Sequence, residues 1–272
     1  MIGSTFLLLD GIGRKLERRL WHEGMLTWPE FLERDGVSFI SPDRKRLMDA
    51  ALYFAKCELD GGNASYFGDV LERAEHWRLF ERFRNEAVCL DIETNGLPPG
   101  RGGRVTVVGL YGGFDYKCFV RGENLSANAL NEELSRYKYL ITFFGSAFDI
   151  PFLRESLSGF ECELPHFDLC FGARRLGLRG GLKKIEPLFG IERCEETRGM
   201  SGYDAVLLWT EAKAGSREAL ELLKLYNRED TVNLMKIAGD IYRRLRDNTG
   251  IGLYEAGANG NGRRIKILPE VS

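Results

Sequence analysis

The sequence lacks the features of a membrane protein, a secreted protein or a zinc protein. Among its 272 residues, no apolar run approaches the roughly 18–20 residues that a membrane helix needs. The apolar stretch near the start has no basic leader and is ended by Asp10 and Gly11, so we read no secretion signal. The six cysteines are scattered without a C-x-x-C pair, which argues against zinc or a disulfide framework and favours reduced thiols in the cytoplasm.

An excess of positive charge is also absent. With 38 basic and 40 acidic residues, the formal net charge is −2, which is not the composition of a non-specific nucleic-acid binder. This balance does not exclude a nuclease, because acidic metal ligands offset local basic patches. The distribution of charge along the chain is therefore more informative than its sum.

The first third of the chain has the pattern of a helical region. The sequence predicts a short helix over 4–9 and a second over 14–22. Ser41-Pro42 is a typical helix start, and an apolar stripe predicts one further helix over about 65–84. We expect residues 1–84 to form a small all-helical domain.

The pattern changes near residue 86. Short β-favouring runs alternate from there with helices, and the last and longest helix includes 226–246. The predicted strands lie at 87–93, 104–111, 116–121 and 139–144. Strands interleaved with helices predict an α/β domain over 86–246. The Gly- and Asn-rich segment 247–272 is expected to be a flexible tail.

Four acids and one tyrosine are candidates for a reactive site. Asp91 and Glu93 are two apart on a predicted strand, so their carboxylates leave the same face and are costly to desolvate without a cation. Asp149 lies at a strand-to-helix junction, and Tyr226 and Asp230 share one face of a helix. Each has a plain alternative: a solvated strand end, an N-cap followed by proline, and core-edge packing.

Taken together, these five residues are the parts that a two-metal phosphodiesterase needs. Two hard cations about 3.5–4 Å apart require several carboxylate oxygens, supplied from different elements. One cation activates the attacking water, and the other stabilises the departing 3′ oxygen. The combination favours a reactive site over three unrelated surface features.

In order and spacing, these residues resemble the motifs of the DEDD superfamily of 3′–5′ exonucleases, in its tyrosine-bearing branch. The motifs read Asp91-Ile92-Glu93-Thr94, Phe148-Asp149 and Tyr226-Asn227-Arg228-Glu229-Asp230. The second motif is similar to that of family-B DNA polymerase proofreading domains, and the whole chain most resembles the YprB-like group. The resemblance covers about 86–246. It implies a ribonuclease-H-like mixed sheet flanked by helices, preceded by the small all-helical domain.

The resemblance also implies cofactors and residue roles. The cofactors would be two divalent cations, Mg²⁺ or Mn²⁺. Asp91, Glu93 and Asp230 would ligate the more tightly held cation, and Asp91 would also bridge to the second. Asp149 would contact that second cation directly or through water, and Tyr226 would orient the attacking water.

One position departs from the family pattern. The second motif of the family usually carries an asparagine four residues before its Phe-Asp pair, and this sequence has Phe144 there. An asparagine side chain hydrogen-bonds the nucleotide or holds the local loop, which phenylalanine cannot do. Because the four acids are present, metal binding is expected to survive, whereas substrate positioning is in doubt.

Contacts to nucleic acid are predicted at two places in the α/β region. By the resemblance, Thr94 and Leu97 would contact the terminal nucleotide, and an equally good interpretation makes Leu97 a turn residue tucked on the core. Phosphates require basic residues along the path of the strand, and the densest basic cluster is the best candidate for that path. It consists of Arg174, Arg175, Arg179, Lys183 and Lys184. The alternative for this cluster is a solvated helix face and loop.

A third nucleic-acid contact is predicted near the start of the chain. Residues 8–20 resemble a helix–hairpin–helix, in which Gly11 and Gly13 let backbone N–H groups approach a phosphate at the start of the second helix. Arg14 and Lys15 add positive charge beside it. Simple helix packing explains the same pattern almost as well.

We therefore predict a metal-dependent 3′–5′ exonuclease acting on DNA or RNA, at single strands or 3′ ends, without a membrane partner. One alternative is a catalytically weak nucleic-acid-binding module that kept the fold and the acids. Another is a ribonuclease-H-like endonuclease that cuts within duplexes or at junctions. Tyr226 favours the exonuclease over the endonuclease, and the intact acids favour it over the binding module.

Overall fold

The computed structural model describes the backbone of residues 1–259 and the side chains of residues 1–256. In chain order the α-helices are α1 (Arg14–His22), α2 (Trp28–Leu32), α3 (Pro42–Asp60), α4 (Ala64–Val70), α5 (Phe80–Phe83), α6 (Ala127–Leu134), α7 (Asp149–Ser156), α8 (Leu169–Arg175), α9 (Leu182–Ile185), α10 (Gly202–Lys213), α11 (Arg217–Thr249) and α12 (Ile251–Asn259). The strands are β1 (Ala87–Thr94), β2 (Val105–Tyr111), β3 (Tyr116–Val120), β4 (Tyr139–Thr142) and β5 (His166–Asp168). None of the helices in these described residues has the length and apolar composition of a membrane-spanning segment.

The five strands form one mixed sheet in the order β3-β2-β1-β4-β5. β1 pairs antiparallel with β2 and parallel with β4, and β4 pairs parallel with β5. The carboxyl ends of β1, β4 and β5 therefore meet at one edge of the sheet. This mixed sheet, flanked by helices and preceded by a helical region, confirms the predicted ribonuclease-H-like fold class.

Alternation along β1 separates the core from the candidate site. Val88, Leu90 and Ile92 point to one face of the sheet, where they join a buried apolar cluster with residues of α6 and α7. The residues between them point to the opposite face, so Asp91 and Glu93 lie on the side that α11 covers. The period of two thus sets both carboxylates on the same side.

α11 lies very close to the sheet because Gly109 has no side chain. Gly109 is the cross-strand partner of Asp91, so it faces the same side. A Cβ atom added at Gly109 would lie 2.3 Å from Asn227 Oδ1 and 2.4 Å from Thr231 Oγ1. The glycine therefore makes room for two polar side chains of α11 directly above β2.

The chain divides into two compact units. One contains residues 1–63 and 244–272, of which 260–272 lie outside the described residues, and the other contains 64–243. These units do not coincide with the three segments predicted from the sequence, which as a domain assignment remain a prediction. The described part of the predicted tail contains the end of α11 and all of α12. The ring centroid of Tyr254, on α12, lies 6.3 Å from that of Trp21.

The short helix predicted over 4–9 is wrong. Only a single 3₁₀ turn, Ile2–Ser4, is present there. The backbone groups that such a helix would use are bound elsewhere, because the indole of Trp21 donates to the carbonyl of Ser4 at 2.9 Å and that of Trp28 donates to the carbonyl of Thr5 at 2.6 Å. The first helix of a helix–hairpin–helix is thus missing from residues 4–9.

The single helix predicted over 65–84 is also wrong, since the segment is broken into α4, a 3₁₀ helix (Arg73–Leu79) and α5. The hydroxyl of Tyr139 donates to the carbonyl of His76 at 2.7 Å, and the ring of His76 bonds the carbonyl of Leu71 at 3.3 Å. Tertiary contacts of this kind take carbonyls that a continuous helix would need. Of the apolar stripe in this segment, Leu71, Trp77, Phe80 and Phe83 are buried, although no single helix carries them.

We predict that Gly109→Ala destabilises the protein by about 1–3 kcal/mol, since the added methyl group has to displace Asn227 and Thr231. Urea unfolding measures the change. Gly239→Ala is the matched control: Gly239 lies inside α11 with nothing within 4 Å of the point where its methyl group would be added, so that alanine should stabilise by about 0.5–1 kcal/mol. Equal stability of Gly109→Ala and the unaltered protein would contradict this packing.

Candidate active site

Three carboxylates from two elements converge beside the sheet. Asp91 and Glu93 come from β1, and Asp230 comes from α11. One oxygen of each lies within 4.8 Å of the others. Glu93 and Asp230 are buried, and Asp91 is partly buried. The structure therefore brings together three of the four acids that the sequence predicts as one group.

Asn227 holds Asp91 in place. Its Nδ2 donates to Asp91 Oδ2 at 2.8 Å, and its Oδ1 accepts from the hydroxyl of Tyr116 at 2.8 Å. Asn227 is fully buried, one residue beyond Tyr226 on α11. Our sequence reading assigned it no role, although a signal was present: Asn227 and Thr231 are four apart, beside the pair Tyr226 and Asp230.

The electrostatics of the three carboxylates suit a cation. Burial, then the charge of Asp230, raises the pKa of both Asp91 and Glu93 well above their ordinary values. Buried Glu93 Oε1 has no hydrogen-bond partner among the described residues. Several buried carboxylate oxygens, one of them unpartnered, are the donor set that hard divalent cations prefer, so a hard divalent cation fits this site.

Asp149 lies at the edge of this group. It is the first residue of α7, it is 5% exposed, and it is not one of the three carboxylates that approach within 4.8 Å. Burial raises the pKa of Asp149 to about 7, and the charges of Asp168 and Asp230 contribute to the rise. The plain N-cap interpretation does not describe it, because the N-cap position of α7 is Phe148.

Lys183 contacts the tyrosine and the helical acid of the site. Its ammonium donates to the hydroxyl of Tyr226 and lies 3.7 Å from Asp230 Oδ2. The ring of Tyr226 lies below the same ammonium, with its centroid 4.3 Å away. The sequence predicts Lys183 as part of a phosphate path, and the structure places it among the carboxylates instead of along an outer face.

Arg193 is a second cation of the site, and the sequence reading missed it. Its guanidinium donates to both carboxylate oxygens of Glu186, at 2.7 and 2.8 Å, and also to Asp230. Asn233 donates to Glu186 at 2.9 Å from α11. No spacing rule marks Arg193 or Glu186, because they lie in separate short segments that only the fold brings to Asp230.

The other predicted nucleic-acid contacts are dispersed. The hydroxyl of Thr94 accepts from the N–H of Gly96 at 3.3 Å, and Leu97 is 48% exposed in the loop after β1. Arg175 donates to the carbonyl of Ala74 and pairs with Glu75 at 3.3 Å, so it has a structural role. Arg174 covers two aromatic rings, and Arg179 and Lys184 are exposed.

The hairpin near the start of the chain keeps part of its expected geometry. Gly11 has a φ of 67°, and Gly13 is the N-cap residue of α1, whose first residues Arg14 and Lys15 are exposed. The guanidinium of Arg44 donates to the carbonyl of Asp10 at 2.8 Å and lies against Gly11. A hairpin followed by a helix is thus present without the helix expected before it.

One family model matches more than half of the chain. A family model of the RNase H superfamily, RNase_H_2, matches residues 88–242, which is more than half of the chain and includes all five predicted site residues. The chain belongs to the RNase H superfamily. A search of curated proteins found no match to the sequence.

Solved structures similar to this chain have low sequence identity to it. One is described as the apo form of a nuclease and is 23% identical to this chain. The aligned region covers 63% of this chain and 78% of the nuclease chain, with a TM-score of 0.45. Brucella melitensis NrnC bound to pGG is 23% identical, covering 65% and 82%, with a TM-score of 0.46. The Aedes aegypti Nibbler EXO domain is 14% identical, covering 66% and 90%, with a TM-score of 0.44.

We predict that Asp149→Asn stabilises the protein in EDTA, and more strongly at about pH 8 than at about pH 5. Because its pKa is raised, the Asp149 carboxyl of the folded protein keeps its proton between pH 3.8 and about pH 7, where the unfolded chain has lost it. The free energy of unfolding therefore falls as pH rises through that window, by at most about 4 kcal/mol. The asparagine of Asp149→Asn cannot ionise, so the variant should not show this fall.

Thermal unfolding of both proteins across this pH range measures the effect. Asp115→Asn, a change at an exposed carboxyl in the β2–β3 turn, is the matched control and should leave the pH profile unaltered. If the unfolding temperatures of Asp149→Asn and the unaltered protein depended on pH in the same way, the raised pKa of Asp149 would be contradicted.

Proposed function

We propose that this RNase H superfamily protein is a metal-dependent 3′–5′ exonuclease of the DEDD type, in the tyrosine-bearing branch and closest to the YprB-like group. The observation that carries the proposal is the convergence of the carboxylates of Asp91, Glu93 and Asp230, with the Tyr226 hydroxyl linked to Asp230 through the ammonium of Lys183. Its substrate would be DNA or RNA with a single-stranded or 3′ end, and its location the cytoplasm.

Asp91, Glu93 and Asp230 would hold the more tightly bound of two divalent cations, Mg²⁺ or Mn²⁺, and Asp149 would reach the second. The unpartnered Oε1 of Glu93 and the raised pKa values of these carboxyls support this assignment. When bound, such cations supply Lewis-acid chemistry that activates water and stabilises the departing 3′ oxygen. Asn227 would keep Asp91 aimed at them through its 2.8 Å hydrogen bond.

Tyr226 would orient the attacking water by hydrogen bonding. Burial, then the charges of Asp230 and Glu93, raises the pKa of its phenol, so the hydroxyl keeps its proton at neutral pH. Lys183 donates to the same oxygen, which leaves the phenol proton free to be donated. Tyr226 would therefore act as a positioned donor and not as a proton acceptor.

The nucleic acid would also be contacted outside the carboxylate group. Thr94 ends the strand that carries Asp91 and Glu93, and Leu97, in the loop after it, is sufficiently exposed to pack on a terminal base. Arg179, before α9, and Lys184, within α9, are exposed and would contact phosphates. The hairpin at Gly11 and Gly13 with Arg14 and Lys15 would supply a further backbone contact, as proposed for helix–hairpin–helix segments.

Two observations favour a catalytically weak nucleic-acid-binding module as the second candidate. Phe144 replaces the asparagine of the family motif. Arg193 and Lys183 already contribute positive charge at Asp230, which lowers the demand of this carboxylate for a cation. Efficient turnover by the protein would decide against this candidate.

We predict that 5′-labelled single strands and 3′-overhang duplexes, of DNA and RNA, are shortened from the 3′ end with Mg²⁺ or Mn²⁺ and stay intact with EDTA. Asp91→Asn should abolish this cleavage, because it removes a central carboxylate while keeping the shape of the side chain. Asp115→Asn, at an exposed carboxyl, should cleave normally.

Gel analysis of the labelled products distinguishes the candidates. A ladder shortened from the 3′ end supports the exonuclease, and discrete internal cuts would replace it with a ribonuclease-H-like endonuclease. Salt-sensitive binding without cleavage would favour the weak binding module. Full cleavage by Asp91→Asn would refute the assignment of Asp91 to the active site.

We predict that Tyr226→Phe lowers kcat on the order of 10²-fold while leaving Mn²⁺ affinity unchanged, because water loses its orienting hydroxyl but the carboxylates remain. Single-turnover cleavage measures the rate, and calorimetry measures the affinity. Tyr203→Phe is the matched control, since Tyr203 is 70% exposed on α10. An unaltered rate in Tyr226→Phe would remove this tyrosine from the reaction.

A further inference from the structure

Two exposed aromatic rings, one on the loop that leads to Asp149 and one on α8, pack against each other. Phe144 is 39% exposed and Phe171, on α8, is 42% exposed. Their ring centroids lie 6.0 Å apart at an interplanar angle of 36°. The guanidinium of Arg174 covers both rings, at 5.7 Å from the centroid of Phe144 and 5.2 Å from that of Phe171. We call this group the Phe144–Phe171–Arg174 platform.

The platform lies at the edge of the sheet that carries the carboxylates. Ile141 of β4 pairs with Cys89 of β1 on one side and with Phe167 of β5 on the other. Because the three strands are parallel, Asp91, Phe144 and Phe171 all follow these partners within a few residues at the same edge. The platform is thus built from the loops that flank the site.

Phe144 has an unfavourable conformation for fold stability alone. Its φ of 68° makes it the one non-glycine residue with positive φ among the described residues. This region costs a phenylalanine free energy, and a ring left partly exposed regains only part of its burial energy. Strained residues of this kind cluster at ligand sites when the surroundings hold them in place.

Asp168 holds the loop of Phe144 rigidly. One carboxylate oxygen accepts from the N–H of Phe144 at 2.8 Å, and the other accepts from the N–H and hydroxyl of Ser146 at 3.0 and 2.6 Å. Asp168 also accepts from the N–H of Cys170, in the first turn of α8. The same carboxylate therefore fixes both ring-bearing segments, Phe144 and Phe171, relative to each other.

We propose that the Phe144–Phe171–Arg174 platform stacks one unpaired base of a single-stranded nucleic acid, close to the end that enters the carboxylate site. Aromatic rings and an arginine plane are the surfaces on which unpaired bases stack, and the charge of Arg174 complements the phosphates on either side. This inference rests on the proposed nuclease function, because it concerns the same substrate. It makes Phe144 a stacking residue in place of the hydrogen-bonding asparagine of the family motif.

The test measures equilibrium binding in EDTA, so that the strand stays intact. A 5′-fluorescein-labelled short DNA strand, and the RNA of the same sequence, are titrated by anisotropy. A series in which one base at a time is replaced by an abasic site locates the stacked base. With the unaltered protein, loss of one base near the 3′ end should weaken binding about 5- to 20-fold, and loss of distant bases should have little effect.

Phe144→Ala should weaken binding of the complete strand by a similar factor and abolish the penalty at that single abasic position. This non-additivity is what stacking requires and what general loosening of the loop would not produce. Phe114→Ala is the matched control, because Phe114 is 94% exposed in the β2–β3 turn, and it should bind as the unaltered protein does. The stacking proposal is overturned if the abasic site still weakens binding in Phe144→Ala. It is also overturned if the unaltered protein shows no detectable binding to the single strand.

Phe144→Asn separates binding from folding. Asparagine tolerates positive φ better than phenylalanine, so the variant should unfold at a higher temperature while binding the strand more weakly. Tighter binding by Phe144→Asn would overturn the stacking role and restore the hydrogen-bonding role of the family asparagine.

Failure of the platform and failure of the nuclease function give different results. Metal-dependent cleavage together with unchanged binding in Phe144→Ala would refute the platform and leave the nuclease standing. Absence of cleavage together with the position-specific abasic penalty would refute the nuclease and leave the platform as part of a binding module.

Discussion

Mutual repulsion among buried carboxylates is the constraint on which the site depends. Asp91 and Glu93 of β1 face Asp230 of α11 across less than 5 Å, where burial and neighbouring charge raise their pKa values. The protein offsets part of this repulsion with Arg193 and Lys183, and the remaining demand is met by a divalent cation in our proposal. Glu93 Oε1 is buried without a hydrogen-bond partner among the described residues, and in our proposal a cation completes it.

The close approach of α11 to the sheet makes that arrangement possible. Gly109 leaves space for Asn227 and Thr231, and Asn227 in turn fixes the orientation of Asp91. Tyr226 and Asp230 lie one helical turn apart on the same helix, so the packing of α11 on the sheet positions the Asp230 carboxylate, the Tyr226 hydroxyl and the Asn227 amide together. Asp168, the last residue of β5, fixes the loop after β4 and the first turn of α8, and its hydrogen bonds offset the cost of the strained Phe144.

Local patterns predicted some elements well and others poorly. β1 and the β2–β3 hairpin follow from β-favouring runs and turn residues, and the structure confirms them within one residue or so. The helices predicted over 4–9 and 65–84 failed because buried indole and phenol donors take their backbone carbonyls. Such competition is invisible to helical periodicity, since the donors come from residues far along the chain.

Residue patterns alone were sufficient to predict the alternation of strands and helices, the shared face of Asp91 and Glu93, and the shared face of Tyr226 and Asp230, because side-chain direction repeats with a period set by the backbone. The folded structure was needed to show that Lys183 and Arg193 belong to the carboxylate group, and that Phe144 and Phe171 form one surface. Those contacts join segments with no common period. Their distances follow from the parallel strand edges and the packing of α11, which no local pattern encodes.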